Sequence, residues 1–342
     1  MLATLTAVPT AATTTAKRER PRAIATWLLA VAVLVFAMVV VGGITRLTES
    51  GLSIVKWEPL SGIVPPLNDA QWQAEFAQYQ ASPQYTKVNA GMGLDAFKGI
   101  FFWEYVHRLL GRVIGFAFAL PLLWFALTRA IPKGYGWRLS GILMLGGLQG
   151  AIGWWMVASG LVNRPSVAHE RLAVHLVTAL LIMAACIWTA LDLTEGRRRL
   201  PRWGAPVLAL LAVQIVWGAF TAGLRAGHAS DTWPLMLGSL VPPLASPFDD
   251  PLTVQFIHRS FAWVVAAAAI AAVWASRRSG HRAGLVVAAL ALQIALGILT
   301  IVNGVPIPLA ALHQAGAAIL LATLLWLAHW QASSVRYYNT VP

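Results

Sequence analysis

Four histidines lie in apolar stretches of this sequence, and their pattern is the best guide to its chemistry. His107 lies in FFWEYVHRLLGR (101–112) and His258 in VQFIHRSFAW (254–263). His175 lies in RLAVHLVTA (171–179) and His313 in LHQAGAA (312–318). Two imidazoles from different helices can bind one haem iron from its two faces while the helices grip the macrocycle edges. Zinc fits less well, because it takes three or four ligands and no thiol or acid repeats beside these histidines. Arg108 and Arg259 each follow a histidine, and Arg112 comes one turn after Arg108. Guanidinium groups there suit anionic haem propionates, or else snorkel to the membrane interface. Glu104 stands three residues before His107, on the same helix face, and the matching residue before His258 is Gln255. A buried carboxylate can relay protons, steady a cationic intermediate, or simply pair with Arg108. The asymmetry points to one reactive site in the N-terminal half and one redox-only site in the C-terminal half.

The elements that must hold these residues are membrane helices. Of 342 residues, 58% are hydrophobic and 11% charged, with mean hydropathy +0.67. The apolar runs are continuous rather than alternating, and about 20 helical residues cross ~30 Å of hydrocarbon. Eight spans are predicted, at about 24–46, 97–127, 139–158, 171–193, 204–224, 253–276, 284–303 and 309–331. The fold class is therefore an all-α integral membrane protein. The net charge of +12 does not signal nucleic acid. The basic residues cluster before span one and between spans two and three, four and five, and six and seven. With an even number of spans, all of these fall on one side. Both termini are expected to be cytoplasmic, and spans two, four, six and eight to run inward with their histidines toward the outer side. An uncleaved first span is expected rather than a signal peptide.

Internal repetition organises the chain. LQGAIGWWMVASGL (148–161) pairs with LQIALGILTIVNGV (292–305), and GGITRLTESG (42–51) more weakly with GAFTAGLRAG (218–227). His107 matches His258, and His175 matches His313. Two four-helix bundles related by a pseudo-twofold axis along the membrane normal are expected. Residues 24–193 form the first bundle and 204–331 the second, with tails at 1–23 and 332–342, the first of them disordered. The long first outer loop, about 47–96, reads as an ordered cap with short helices. Cys186 is the single cysteine and reads as a core residue. His169, His228, His281 and His329 read as structural or loop residues.

The segments GGITRLTESGLSIVKWEPLSGIVPP, FKGIFFWEYVHRLLGRVIG, LQGAIGWWMVASGL, RLAVHLVTA, FIHRSFAW and LHQAGAA together resemble haem A synthase. They span nearly all of residues 24–331. The resemblance implies an eight-helix, duplicated bundle in the bacterial inner membrane. It implies oxidation of the C8 methyl of haem O to a formyl group by successive hydroxylations. His107 and His175 then flank the substrate haem, Glu104 is the functional acid, and His258 and His313 ligate a haem b cofactor. Some bacterial members carry a cysteine pair in the first outer loop. This chain has none there, which places it with the mitochondrial and alphaproteobacterial branch. Haem O synthase is the natural partner, and the lipid bilayer the surrounding solvent. Two rival readings are a dihaem b-type cytochrome for quinol electron transfer and a haem carrier or assembly scaffold.

Overall fold

The computed structural model describes residues 19–57, 62–276 and 280–331. The outermost tails, 1–18 and 332–342, lie outside the described residues, as do Arg277 and Arg278. Among the described residues there are ten α-helices: α1 (Pro21–Leu47), α2 (Asp69–Gln80), α3 (Pro83–Lys87), α4 (Leu94–Leu127), α5 (Gly136–Ala158), α6 (His169–Glu195), α7 (Gly204–Gly223), α8 (Pro251–Ala275), α9 (His281–Val302) and α10 (Ile307–Gln331). Eight of these are long and apolar enough to cross a membrane, in the eight places predicted. Helix α1 begins at Pro21, so residues 21–23 are helical rather than part of a disordered tail. Proline at the first helical position costs nothing, since its missing N–H has no partner there anyway. His169 likewise is the first residue of α6 rather than part of the preceding loop.

Contacts close α1, α4, α5 and α6 into one ring and α7, α8, α9 and α10 into another. The rings meet along α1 with α10 and α6 with α7, and α6 also touches α10. The main apolar core lies along this seam, with Ile24, Leu28, Val35, Met183, Leu211 and Leu324 all buried. Cys186 is fully buried in it. The outward faces of α4 and α5 keep Leu127, Trp137 and Met144 exposed. In hydrocarbon such side chains cost nothing, so helix association rests on packing and interhelical hydrogen bonds. One such bond repairs a proline. Pro121 lies inside α4 and cannot bond the carbonyl of Ala117, and the indole N–H of Trp27 on α1 donates to that carbonyl at 2.7 Å.

The seam is pinned by polar groups at several points. Gln314 on α10 donates to the carbonyl of Val39 on α1 at 2.7 Å, with its side chain against Gly43. Arg46 donates to the carbonyl of Gly223 at 2.8 Å. Glu49 and Arg225, which lie seven residues past Gly42 and Gly218, form an ion pair. Both have left-handed backbone just beyond their helices, at φ 56° and 53°.

At the basic end, Asp192 of α6 is buried. It accepts from Arg138 at 2.5 Å and from the backbone N–H of Arg198 at 3.1 Å, and lies 3.0 Å from Nε2 of His329 on α10. His329 is fully buried and edge-on to Trp188, so it ties the two rings together. Asp192→Ala strands His329 and is expected to cost about 1–3 kcal/mol. Thermal denaturation of the detergent-solubilised protein checks this: its midpoint drops for Asp192→Ala, and less for Asp192→Asn, which keeps an acceptor.

The long first loop carries α2 and α3. Asn68 caps α2, and Ser82 caps α3, each accepting a backbone N–H. Phe76, Tyr79, Phe97 and Phe101 bury together and fasten this cap to the start of α4. The opposite loop, before α8, ends on Asp250, whose carboxylate accepts from the backbone N–H of Thr253 at 2.8 Å and its hydroxyl at 2.7 Å. Those bonds hold Asp250 below the usual carboxylate range.

Candidate functional site

The four histidines of the sequence pattern come together as one pair inside each ring, each pair made of two residues of the same half. His107 on α4 and His175 on α6 have ring centres 6.5 Å apart; His258 on α8 and His313 on α10 have theirs 6.4 Å apart. The planes cross at 55° in the first pair and 88° in the second. One metal bonded to two opposed imidazoles at about 2 Å each needs ring centres about 6 Å apart. Both pairs therefore have the spacing that one metal between two imidazoles would need.

Glycines make room for the rings. A Cβ on Gly42 of α1 would sit 3.2 Å from Nε2 of His107, and one on Gly153 of α5 would sit 3.1 Å from Cε1 of His175. The same holds in the second ring, with Gly218 of α7 at 3.1 Å from His258 and Gly297 of α9 at 2.8 Å from His313. Each histidine thus lies against the bare backbone of a neighbouring helix, where an added Cβ would crowd the ring. The glutamines one turn earlier bond three of the four. Gln149 Nε2 is 3.2 Å from His175 Nδ1 and donates to its carbonyl at 2.9 Å. Gln214 does the same for His258, at 3.1 and 3.0 Å. His313 Nδ1 donates to the backbone carbonyl of Gln293 at 3.1 Å. The sequence reading missed these glutamines as site residues. The recurrent Gln-x-x-x-Gly of 149–153, 214–218 and 293–297, set against one histidine each, was the signal that could have found them.

The arginines bind protein first. Arg108 donates to the carbonyls of Ile54 and Lys56 at 2.6 and 2.8 Å, and Arg259 to those of Thr232 and Pro234 at 3.0 and 3.3 Å. In each half, the arginine after the histidine therefore clamps the long loop over its ring. Arg259 Nη1 is buried and has no hydrogen-bond partner among the described residues. It remains a donor for an anion such as a propionate. Arg112 lines a cavity of about 320 Å³ under the first loop, with Arg108, Tyr105 and Lys56.

Glu104 is 3% exposed and fully engaged. Its Oε1 accepts from Arg108 Nη2 at 2.6 Å and Nε at 3.0 Å. Its Oε2 accepts from the Ser53 hydroxyl at 2.7 Å and the Ile54 backbone N–H at 2.8 Å. Four donors thus occupy both oxygens of this side chain. Gln255, at the equivalent place, reverses the polarity and donates to the carbonyls of Gly227 and Ser230 at 3.2 and 2.8 Å. The difference between the halves is thus a fixed negative charge beside His107, answered by Arg108, where the other half has a neutral amide.

The chain matches known proteins along most of its length. A family model described as cytochrome oxidase assembly protein (COX15-CtaA) matches residues 25–325. The chain is 54% identical over 331 residues to a protein of Rhizorhabdus wittichii, covering 92% of this chain and 95% of that one. It is 49% identical over 320 residues to one of Sphingopyxis alaskensis, covering 89% and 90%. It is 51% identical over 320 residues to one of Azorhizobium caulinodans, covering 88% and 92%. All three are named heme A synthase. With two histidine pairs spaced for axial ligation, eight membrane helices and matches along nearly its whole length, the chain belongs to the COX15-CtaA family of cytochrome oxidase assembly proteins.

Proposed function

We propose that the protein is an inner-membrane haem A synthase that oxidises the C8 methyl of haem O to a formyl group by successive hydroxylations. The observation that carries this reading is the pair of near-identical histidine sites with a carboxylate beside only one of them. Haem O is the substrate at His107 and His175. His258 and His313 hold a haem b, which supplies one-electron redox chemistry between the donor and the substrate site. Arg259 Nη1 is the donor for one of its propionates. Arg108 and Arg112 bracket the first loop above the substrate site. The Glu104–Arg108 pair sets a fixed field beside His107, with the carboxylate placed to favour positive charge developing on the substrate. The cap held by Arg108 and the aromatic cluster keeps bulk water from that site.

The positive-inside pattern puts both termini in the cytoplasm and the histidine sites toward the periplasmic side. Haem O is apolar enough to pass laterally from a neighbouring haem O synthase, which is the proposed partner. The near-equal geometry of the two pairs is what favours a rival, a dihaem cytochrome that moves electrons and leaves both haems unchanged. Product analysis separates the two. The protein is purified with and without co-expressed haem O synthase, and its extracted pigments are resolved chromatographically. Haem A is expected only with co-expression, alongside haem b in both preparations. Unaltered haem O without haem A in the co-expressed preparation would replace the synthase by the cytochrome.

A further inference from the structure

The four histidine sites repeat one local design, and one of them departs from it twice. At His175, His258 and His313, the ring turns its Cε1 edge to the glycine, with Nδ1 the next nearest atom at 3.5, 3.7 and 3.3 Å. At His107 the ring shows the glycine its Nε2 and Cδ2, at 3.2 and 3.5 Å. Four residues before Gly153, Gly218 and Gly297 stand Gln149, Gln214 and Gln293; four before Gly42 stands Met38. Met38 turns its Cε toward Gly111, where a Cβ would sit 3.1 Å away. The His107 ring has no hydrogen-bond partner among the described residues, although the other three each have one at Nδ1.

An imidazole that ligates iron through Nε2 carries its proton on Nδ1, and an acceptor there fixes the ring and raises its basicity. At His313 the carbonyl of Gln293 already fills that role. At His175 and His258 the carboxamide stands in reach, and its Oε1 is buried without a partner. Turning the amide over presents that oxygen to Nδ1–H and gives up the bond from the amide nitrogen to the histidine's own backbone carbonyl. A thioether is only a weak acceptor, so Met38 cannot do this for His107.

We propose that His107 is the exchangeable ligand of the substrate site, that the carboxamides of Gln149 and Gln214 and the backbone carbonyl of Gln293 position the other three histidines, and that Met38 in the glutamine register is what leaves the His107 ring free to turn. This rests on the haem reading above. It gives the two halves their different tasks. The C-terminal site has two locked ligands and retains its haem. The N-terminal site has one locked ligand and one free, so haem O can arrive and haem A can leave.

The test uses full-length protein co-expressed with haem O synthase, purified and mixed with excess apomyoglobin as haem acceptor. Loss of haem O and haem A from the protein is followed by chromatography of extracted pigments. Met38→Gln supplies the missing carboxamide and is expected to slow release by about 10-fold or more, the scale of a metal site's outer partner. Gln149→Met gives His175 the same surroundings as His107 and is expected to speed release by a similar factor. Haem b retained in both variants shows that the fold and the second site are intact. The proposal is overturned if Met38→Gln releases haem at the native rate, or if Gln149→Met does. If the unmodified protein carries no haem O or haem A under co-expression, the haem A synthase reading itself fails, and this inference with it.

Discussion

His258→Ala and His313→Ala, each made in the full-length protein, are expected to remove the b-type absorption spectrum almost entirely. Each deletes a primary ligand, a larger loss than the 10–100-fold that follows from removing an outer partner. Neither is expected to unfold the bundle. The rings sit against Gly218 and Gly297, and the seam is held elsewhere, by Gln314, Arg46 and the Asp192 cluster. His107→Ala and His175→Ala, by contrast, are expected to leave the b-type spectrum in place. The plane angle adds a sharper signature. Imidazole planes crossed at 88° leave the iron orbitals they act on nearly degenerate, so the oxidised protein is expected to give a strongly anisotropic low-spin resonance. A b-type spectrum that survives both His258→Ala and His313→Ala sinks the assignment of that pair.

What the sequence displayed and what it hid follow from the kind of partner each residue has. The helices were legible because hydrocarbon demands long continuous apolar runs, and the boundaries moved only by a few residues, as at Pro21 and His169. The histidine pairing was legible because duplication prints the same residue twice at matching places. Arg108 and Arg259 were legible as a repeat but not in their role. Their donors go mainly to backbone carbonyls of Ile54, Lys56, Thr232 and Pro234, and a carbonyl has no letter in the sequence. Asp192 and His329 are 137 positions apart and lie in different halves with no counterpart in the repeat, so each alone looked ordinary. Gln214 escaped because the repeat was sought by aligned motifs. Its relation to Gln149 and Gln293 is a spacing to glycine, which becomes meaningful only when a histidine from another helix arrives beside it.

Glu104→Gln is expected to lower haem A formation by about 100-fold or more, the scale of removing one preorganised charge from a reacting site, while leaving the b-type spectrum unchanged. The substitution is chosen for what it keeps. The amide oxygen can still accept from the Ser53 hydroxyl and the Ile54 N–H, so the first loop stays anchored. What goes is the negative charge facing Arg108 at 2.6 Å. If the carboxylate served only to tether the loop, Glu104→Gln would retain most of the activity and only Glu104→Ala would lose it. The C-terminal half makes the tether-only case concrete, because Gln255 anchors its own loop through an amide at the same place. The expected order is therefore native far above Glu104→Gln, with Glu104→Ala no better. A Glu104→Gln protein that makes haem A at the native rate would take the charge out of the chemistry and leave Glu104 as a loop anchor. The companion change, Gln255→Glu, places an acid beside His258, where among the described residues no hydrogen bond joins the Gln255 side chain to Arg259. It is expected to weaken the fold rather than create a second reactive site, because the new carboxylate would face the carbonyls of Gly227 and Ser230, which offer it no donor.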